Sequence, residues 1–497
     1  MKKAGLLILI LGIGFLSLNP MVRSLVASIE MKGGRPAEIV VSPEEIQKFL
    51  GLDEVHTFSH DKIFFDAKPV SQGGEFVELD LAGAIDRTLK NHLWSRTAHE
   101  QIQESLGKRW QAMSSLLPHI DGSMSEQRTW KENLSALGFK GVGMIGPFNT
   151  FDARFRLVQK ILDLSALSEF QAGRKNVNVA RYNEELAHQQ VVLIASLAYL
   201  DALRAQGTFK AAQANLELSE RLLKQARNQW DAGVAASVDV ARAETRVAQD
   251  KLWLEKARMD THDAYLELQR VTGLPYDSIL RLVDTLCFVH EKLPSIEDAL
   301  TLARGGRMEM RIALEKIQVL KYQLYGARAQ SLPKVEFGGD YGLSGNDPGH
   351  GGGSRPTGEA FFQVTVPLFE GGLIHGKVKE AASQKKQEEI YYDDLQRQVD
   401  EDVHKALWTV DTSLEQVHAA SQVVHLADRE LQLASHRFAE GVGDNVEVVN
   451  AQAALAQARD EYIGALVQYH TARINWYFAL GNTDSFYLQD AKRKGSH

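Results

Sequence analysis

Two glycine-rich motifs have the residue types and spacing that chemistry uses. Gly141-Val142-Gly143-Met144-Ile145-Gly146 fits the G-x-G-x-x-G pattern that lets a backbone approach a pyrophosphate, but Pro147-Phe148-Asn149 follows where the phosphate-binding helix has to begin. His350-Gly351-Gly352-Gly353 looks like an esterase oxyanion loop, yet no G-x-S-x-G nucleophile elbow occurs in the chain, so it reads as a surface loop. The 16 His form no H-E-x-x-H or Cys-His cluster and the 9 Met are scattered, so neither a metal site nor a cofactor is expected. With no convergent catalytic set, the chain does not read as an enzyme. Two turns do recur at matching places, and each carries an acid six residues beyond its glycine, Asp239 after Gly233 and Glu447 after Gly441.

The chain has 497 residues, 44% hydrophobic and 24% charged, enough to bury a large core. Its 56 basic and 64 acidic residues leave a net charge of -8, without the basic surplus that a phosphate backbone demands, so nucleic acid is not an expected partner. Met1-Lys2-Lys3 followed by the apolar run Ala4 to Leu18 has the form of a secretory signal, assigned to residues 1–28 although no clean A-x-A site follows; a retained amphipathic or anchoring segment is the alternative reading. Cys287 is the single cysteine, so no intramolecular disulfide can form. No later stretch approaches eighteen apolar residues; if the mature chain enters a membrane, strands have to do it.

The elements that position those acids come in two copies. Gly233 of Trp230-Asp231-Ala232-Gly233-Val234 answers Gly441 of Phe438-Ala439-Glu440-Gly441-Val442, and Gly273 answers Gly481, both 208 residues on. Upstream, Ser115-Leu116-Leu117-Pro118 answers Gln330-Ser331-Leu332-Pro333. The organisation expected is a signal at 1–28, an unassigned extension at 29–78, repeat one at 79–275, a connector at 276–293, repeat two at 294–483 and a tail at 484–497.

Each repeat opens with a helix, seen in the one-face spacing of Ile102, Leu106, Trp110, Met113 and Leu117, with a counterpart from Ile296 to Gln330. After Pro333 the period becomes two: Val335, Phe337, Gly339, Tyr341 and Leu343 fall on one face, Lys334, Glu336 and Asp340 on the other. Phe362, Val364, Val366 and Leu368 alternate in a second strand, with Asn346 to Gly358 as a long loop between. Repeat one carries weaker equivalents at His119 to Glu126 and Phe151 to Leu162. Four strands cannot close a barrel and a membrane sheet tolerates no open edge, so several chains have to contribute; three would supply twelve strands.

The rest of each repeat reads as a long helical hairpin, Arg174–Trp230 with Val238–Val271 and Ile374–Phe438 with Val446–Ala479. Ala420, Val424, Ala427, Leu431, Ala434 and Phe438 keep a 3-4 spacing, as do Val448, Ala451, Leu455, Ala458, Tyr462, Ala465, Tyr469 and Ala472 on the way back. Leu216, Ser219, Leu223, Ala226 and Trp230 echo it in repeat one. Alternation of large with Ala suits closely packed helices in a wall.

These features together resemble the TolC-like outer membrane factors. Val366-Pro367-Leu368-Phe369-Glu370-Gly371-Gly372 is similar to the family's strand-to-helix junction, and Ala327-Arg328-Ala329-Gln330-Ser331-Leu332-Pro333 to its helix-to-barrel approach. Lys160-Ile161-Leu162-Asp163 departs from the junction pattern, and Arg307-Met308-Glu309 stands where Arg-Pro-Asp is common. The resemblance implies a mainly α fold with a membrane β-barrel: a homotrimer with a 12-stranded barrel, four strands per chain, in outer-membrane lipid on a long α-helical periplasmic tunnel. It further implies an outer membrane channel of a tripartite efflux or type I secretion system, working with a periplasmic adaptor (membrane fusion) protein and an inner-membrane transporter. By the same resemblance Gly233, Val234, Gly441 and Val442 fall where adaptors dock, and Glu447, Asn450 and Asp239 at the pore constriction, where acids focus negative potential. The residues also allow a plainer role, since an acid in a first helical turn complements the helix dipole, and Asp444 with Glu447 could form a capping box. A secreted helical coiled-coil scaffold or adhesin-like protein is the rival reading; it predicts no paired bilayer-length strands at equivalent places in both halves.

Overall fold

The computed structural model describes residues 76–131, 145–233, 235–289, 291, 293–346, 353–440 and 442–483. The assigned signal, most of the extension at 29–78, Gly141–Met144 and His350–Gly352 of the two glycine motifs, and the tail lie outside them. The elements run β1 (Phe76–Leu79), α1 (Leu81–Asn91), α2 (Leu93–Ser114), β2 (His119–Lys131), β3 (Ile145–Leu162), α3 (Leu164–Asp231) and α4 (Ser237–Thr272). The same series then recurs as β4 (Ile279–Leu282), α5 (Ile296–Gly306), α6 (Met308–Ala329), β5 (Lys334–Gly345), β6 (Ser354–Thr365), α7 (Leu373–Ala439) and α8 (Asn445–Ala479).

Helices α3 and α7, of 68 and 67 residues, each span about 100 Å at 1.5 Å per residue. Each serves two partners in succession: α3 packs on α2 and then α4, α7 on α6 and then α8. The wall is closed within the chain by α3 against α6 and α8. The apolar seam read from sequence is the packing surface: Ala427, Leu431, Ala434 and Phe438 are buried on Val448, Ala451, Leu455 and Ala458. Trp230, at the end of the repeat-one seam, is exposed, as is Trp110 on α2.

Helix α3 also holds an 18-residue window apolar enough to cross a membrane. The α3 residues Val192, Ala195, Tyr199, Leu200, Ala202 and Leu203 pack instead under Leu79, Leu81, Ile85, Leu280 and Leu282, in the largest core cluster. The layer above them is a two-stranded parallel sheet, β1 with β4, which the sequence had not disclosed. Tyr199 joins it, its hydroxyl 2.8 Å from Asp284 Oδ2 and 3.1 Å from Leu79 O; burial, and then the Asp284 charge, push its phenol well above the ordinary range.

Several sequence boundaries move, among them the start of α3, which lies at Leu164 and not at the expected Arg174. The helix expected from Ile296 to Gln330 breaks at Arg307, whose backbone is extended. A Cβ on Gly306 would lie 2.8 Å from Leu480 O, so the break lets the end of α8 lie against the chain, while buried Arg307 pairs with Glu309 and Asp402. The loop expected over Asn346 to Gly358 is shorter, because β6 already starts at Ser354. Its glycine-rich sequence disguised the strand, which pairs Pro356 with Leu343 and Gly358 with Tyr341. β6 in turn ends at Thr365, short of the expected Val366 and Leu368.

The four longer strands form one antiparallel sheet in the order β2-β3-β5-β6. Its register sorts most side chains by polarity, with Glu126 and Arg128 among the exceptions on the apolar face and Val158 and Phe361 among those on the polar one. Ile120, Met124, Phe155, Tyr341, Leu343, Phe362 and Val364 share one face, all exposed in the single chain, and the Phe337 and Phe362 rings pack 4.9 Å apart. The opposite face carries Asp121, Asp152, Arg154, Arg156, Glu336, Asp340 and Gln363, with Arg154 Nη1 2.9 Å from Asp340 Oδ1. One face suits lipid and the other water, the division a transmembrane barrel requires. β2 and β6 leave two open edges.

Candidate aperture at the hairpin tips

Both hairpins turn at their ends away from the sheet. In the first, Gly233 takes a left-handed φ of 73° and the Ala235 N–H returns to Gln229 O at 3.2 Å. In the second, the N–H groups of Val442 and Gly443 both donate to Arg437 O, at 3.1 and 3.0 Å. These bonds satisfy carbonyls that the ends of α3 and α7 would leave orphaned. Gly233 is exposed and Val442 is 74% exposed, open to a partner; Val234 and Gly441 lie outside the described residues.

The acids behave differently at the two turns. Asp239 accepts the Ala236 N–H through Oδ2 at 3.1 Å and meets Arg242 Nη1 through Oδ1 at 3.3 Å. At the second turn the suggested capping box does not form. Asp444 caps α8 by accepting the Val446 N–H at 3.0 Å, and the Glu447 carboxylate turns away to Arg437, Oε2 to Nη1 3.6 Å. The Glu447 side chain is thus turned from the helix start, where only its backbone N–H donates, to Asp444 O at 3.1 Å, and Glu447, with Asn450 three residues on, is exposed.

The structure brings the two tips together through residues that sequence reading passed over. Asn445, 4% exposed, donates from Nδ2 to Asp239 O at 2.8 Å, and Gln229 Nε2 donates to Phe438 O at 2.9 Å. Further up α8, Gln452 donates to buried Asp250 at 3.3 Å, and Arg459 to Asn215 Oδ1 at 2.8 Å. Asn445, Gln452 and Arg459 are seven residues apart, a polar row beside the apolar seam. The heptad spacing is present in the sequence, but polar residues at such positions carry no apolar period to mark them as packed. Among the described residues no cluster of His, Cys, Asp or Glu could hold a metal ion.

A sheet with one mainly apolar and one mainly polar face, prolonged by a wall of helices that ends in exposed turns, defines a membrane channel with a helical extension. The chain's sequence matches the family described as outer membrane efflux protein over residues 84–274 and 299–482, and the chain belongs to that family. Among its relatives, the alkaline protease secretion protein AprF of Pseudomonas aeruginosa is 24% identical, with 78% of this chain and 82% of AprF aligned. The outer membrane protein TolC of Escherichia coli is 23% identical over 67% of this chain and 70% of TolC. The CmeC outer membrane channel of Campylobacter jejuni superposes with a TM-score of 0.71 at 19% identity, covering 81% of this chain and 86% of CmeC.

The fold is mainly α with a membrane β-barrel, that of trimeric channels in which barrel and helical tunnel are continuous. The chain is an outer membrane channel component of the efflux and type I secretion class, with its helical part in the periplasm. The helical-scaffold reading is not favoured: bilayer-length strands interrupt the helices at equivalent places in both halves.

Proposed function

We propose that this chain is the passive outer conduit of a three-part export assembly, receiving cargo from an inner-membrane transporter through a periplasmic adaptor that docks at the hairpin tips. The observation that carries this is the tip geometry: two exposed turns, tied to each other by Asn445 and Gln229, at the end of the wall opposite the barrel. Val442 and Gly233, with Val234 and Gly441 beside them, offer the docking surface. Glu447 and Asn450, with Asp239 on the neighbouring hairpin, line the constriction when three copies close the ring. A wide aqueous tunnel selects weakly, so the transporter chooses the cargo, and the channel needs neither cofactor nor catalysis. The residue boundaries of the two repeats, 79–275 and 294–483, belong to the same proposal.

Glu447→Ala tests the constriction. In planar bilayers it should raise single-channel conductance and reduce preference for cations; unchanged conductance and selectivity would remove Glu447 from the aperture. For docking, Val442→Asp should abolish export and adaptor cross-linking while leaving trimer yield and pore formation intact.

A further inference from the structure

Each candidate constriction acid has an arginine from its own hairpin. Arg437 stands 3.6 Å from Glu447, and Arg242 stands 3.3 Å from Asp239. Three other tip charges have partners elsewhere: the Asp444 carboxylate caps α8, Glu440 lies 3.2 Å from His436, and Arg227 is 2.5 Å from Glu244. We propose that Arg437 and Arg242 are selectivity-determining residues that compensate the aperture acids, so that the constriction is a mixed ring of carboxylates and guanidinia and not a plain acidic one. This rests on the placement of Glu447 and Asp239 at the constriction.

The physical reason is the range of the field. A lone carboxylate projects a monopole, felt across a narrow pore over about one Debye length, ~8 Å at physiological salt. A guanidinium a few ångströms away reduces it to a dipole, whose field decays faster. Both pairs are at tips where such a field acts on passing ions; Arg437 and Glu447 are 57% and 47% exposed, so burial of a charge does not explain that pair, whereas Asp239 is 15% exposed beside an Arg242 that is 45% exposed, so Arg242 also offsets a largely covered carboxylate. The two pairs are built differently. Arg242 follows Asp239 by three residues on one helical turn, whereas Arg437 reaches Glu447 across the hairpin turn, from the end of α7 to the start of α8. Compensation thus arises twice from unrelated local geometry. Arg437 has a further tie to the turn, since its own carbonyl receives the N–H groups of Val442 and Gly443.

The experiment uses the full-length trimer in planar bilayers under a potassium chloride gradient, reading the reversal potential of the parent and of Arg437→Gln, Arg242→Gln, the double arginine variant, Glu447→Gln and Asp239→Asn. Native mass of each detergent-extracted trimer confirms assembly. The parent should discriminate weakly between potassium and chloride. The double arginine variant should raise the potassium-to-chloride permeability ratio by about twofold or more, less at 1 M salt than at 0.05 M, because the uncovered acids are screened. Glu447→Gln and Asp239→Asn should lower that ratio. If the acid variants shift selectivity and the arginine variants do not, compensation is wrong while the aperture stands. If the acid variants also leave the ratio unchanged, the placement of the acids is wrong and compensation goes with it.

Discussion

His92 caps α2 with its ring. Nδ1 accepts the Trp94 N–H at 3.2 Å, which only an unprotonated Nδ1 can do. Burial, and then the Arg270 charge, hold the His92 pKa below its ordinary 6.5, so the folded chain takes up this proton less readily than the unfolded chain. The cap's contribution is therefore intact above pH 6.5 and is lost as pH falls from there through the folded value. Hydrogen exchange at the Trp94 amide, corrected for its intrinsic rate, should quicken several-fold between pH 7 and pH 5; His92→Asn should keep the cap and remove that pH dependence. A second test at this scale concerns Arg473, buried against Glu291 with Nη2–Oε2 2.7 Å, while the Tyr477 hydroxyl donates to the same carboxylate. Glu291→Gln leaves a buried guanidinium short of its counter-charge and should cost about 3 kcal/mol in unfolding experiments. Loss of the surface pair Arg397–Asp394 should leave the thermal transition where it is.

Helices and strands here end at places set by backbone geometry. Gly481 closes α8 with φ 70°, and a Cβ there would lie 2.6 Å from Gly306 C; Gly233 has φ 73° but open space around it. Gly481→Ala should therefore destabilise by clearly more than the ~1 kcal/mol that left-handed strain alone costs at Gly233, measured by thermal unfolding of the helical signal. In the sheet, Phe362→Lys puts a charge on the apolar face near the end of β6, at a cost set by depth, about 2–4 kcal/mol at the bilayer midplane and less towards the interface, and should lower the yield of inserted protein, whereas Gln363→Lys on the opposite face should insert normally. The long helices and their seams were legible because a 3-4 apolar spacing sustained over many turns has few other causes. Strand β5 and the latter part of β6 were legible from alternation; β2 and β3 were read only as weaker equivalents and run further than expected, β2 on to Lys131 and β3 from Ile145, six residues before Phe151. The start of β6 was not, because glycine and proline hide an edge strand, nor was β1 with β4, where four residues per strand give no period to follow. The breaks at His92 and Arg307 depend on contacts from distant helices. At the tips the acids were legible only through the family resemblance; the Arg242 partner of Asp239 lies three residues on in the same helix and was open to reading, whereas Arg437 meets Glu447 only after the chain turns.

At the scale of the molecule, both edges of the sheet and both outer helices of the wall await another copy. α4 exposes Leu252 and Met259, and α7 exposes Leu426 and Leu433. Light scattering of the detergent-extracted protein should give three chains per particle, and pores should appear only from that species; a monomer that stays in solution without detergent and never conducts would refute the barrel. Assembly should also depend steeply on protein concentration, because no pair of copies closes the ring.

The open edges of β2 and β6 have a genetic consequence. Each pore needs every one of its three seams, so a subunit with a sound β2 and a ruined β6 can still recruit a neighbour and then block closure. Expressed at parity with the normal allele, such a variant would leave only about one trimer in eight free of it, on random mixing in a closed cyclic assembly. Lesions confined to one strand edge should therefore be dominant over wild type, and lesions that prevent folding of the whole chain recessive.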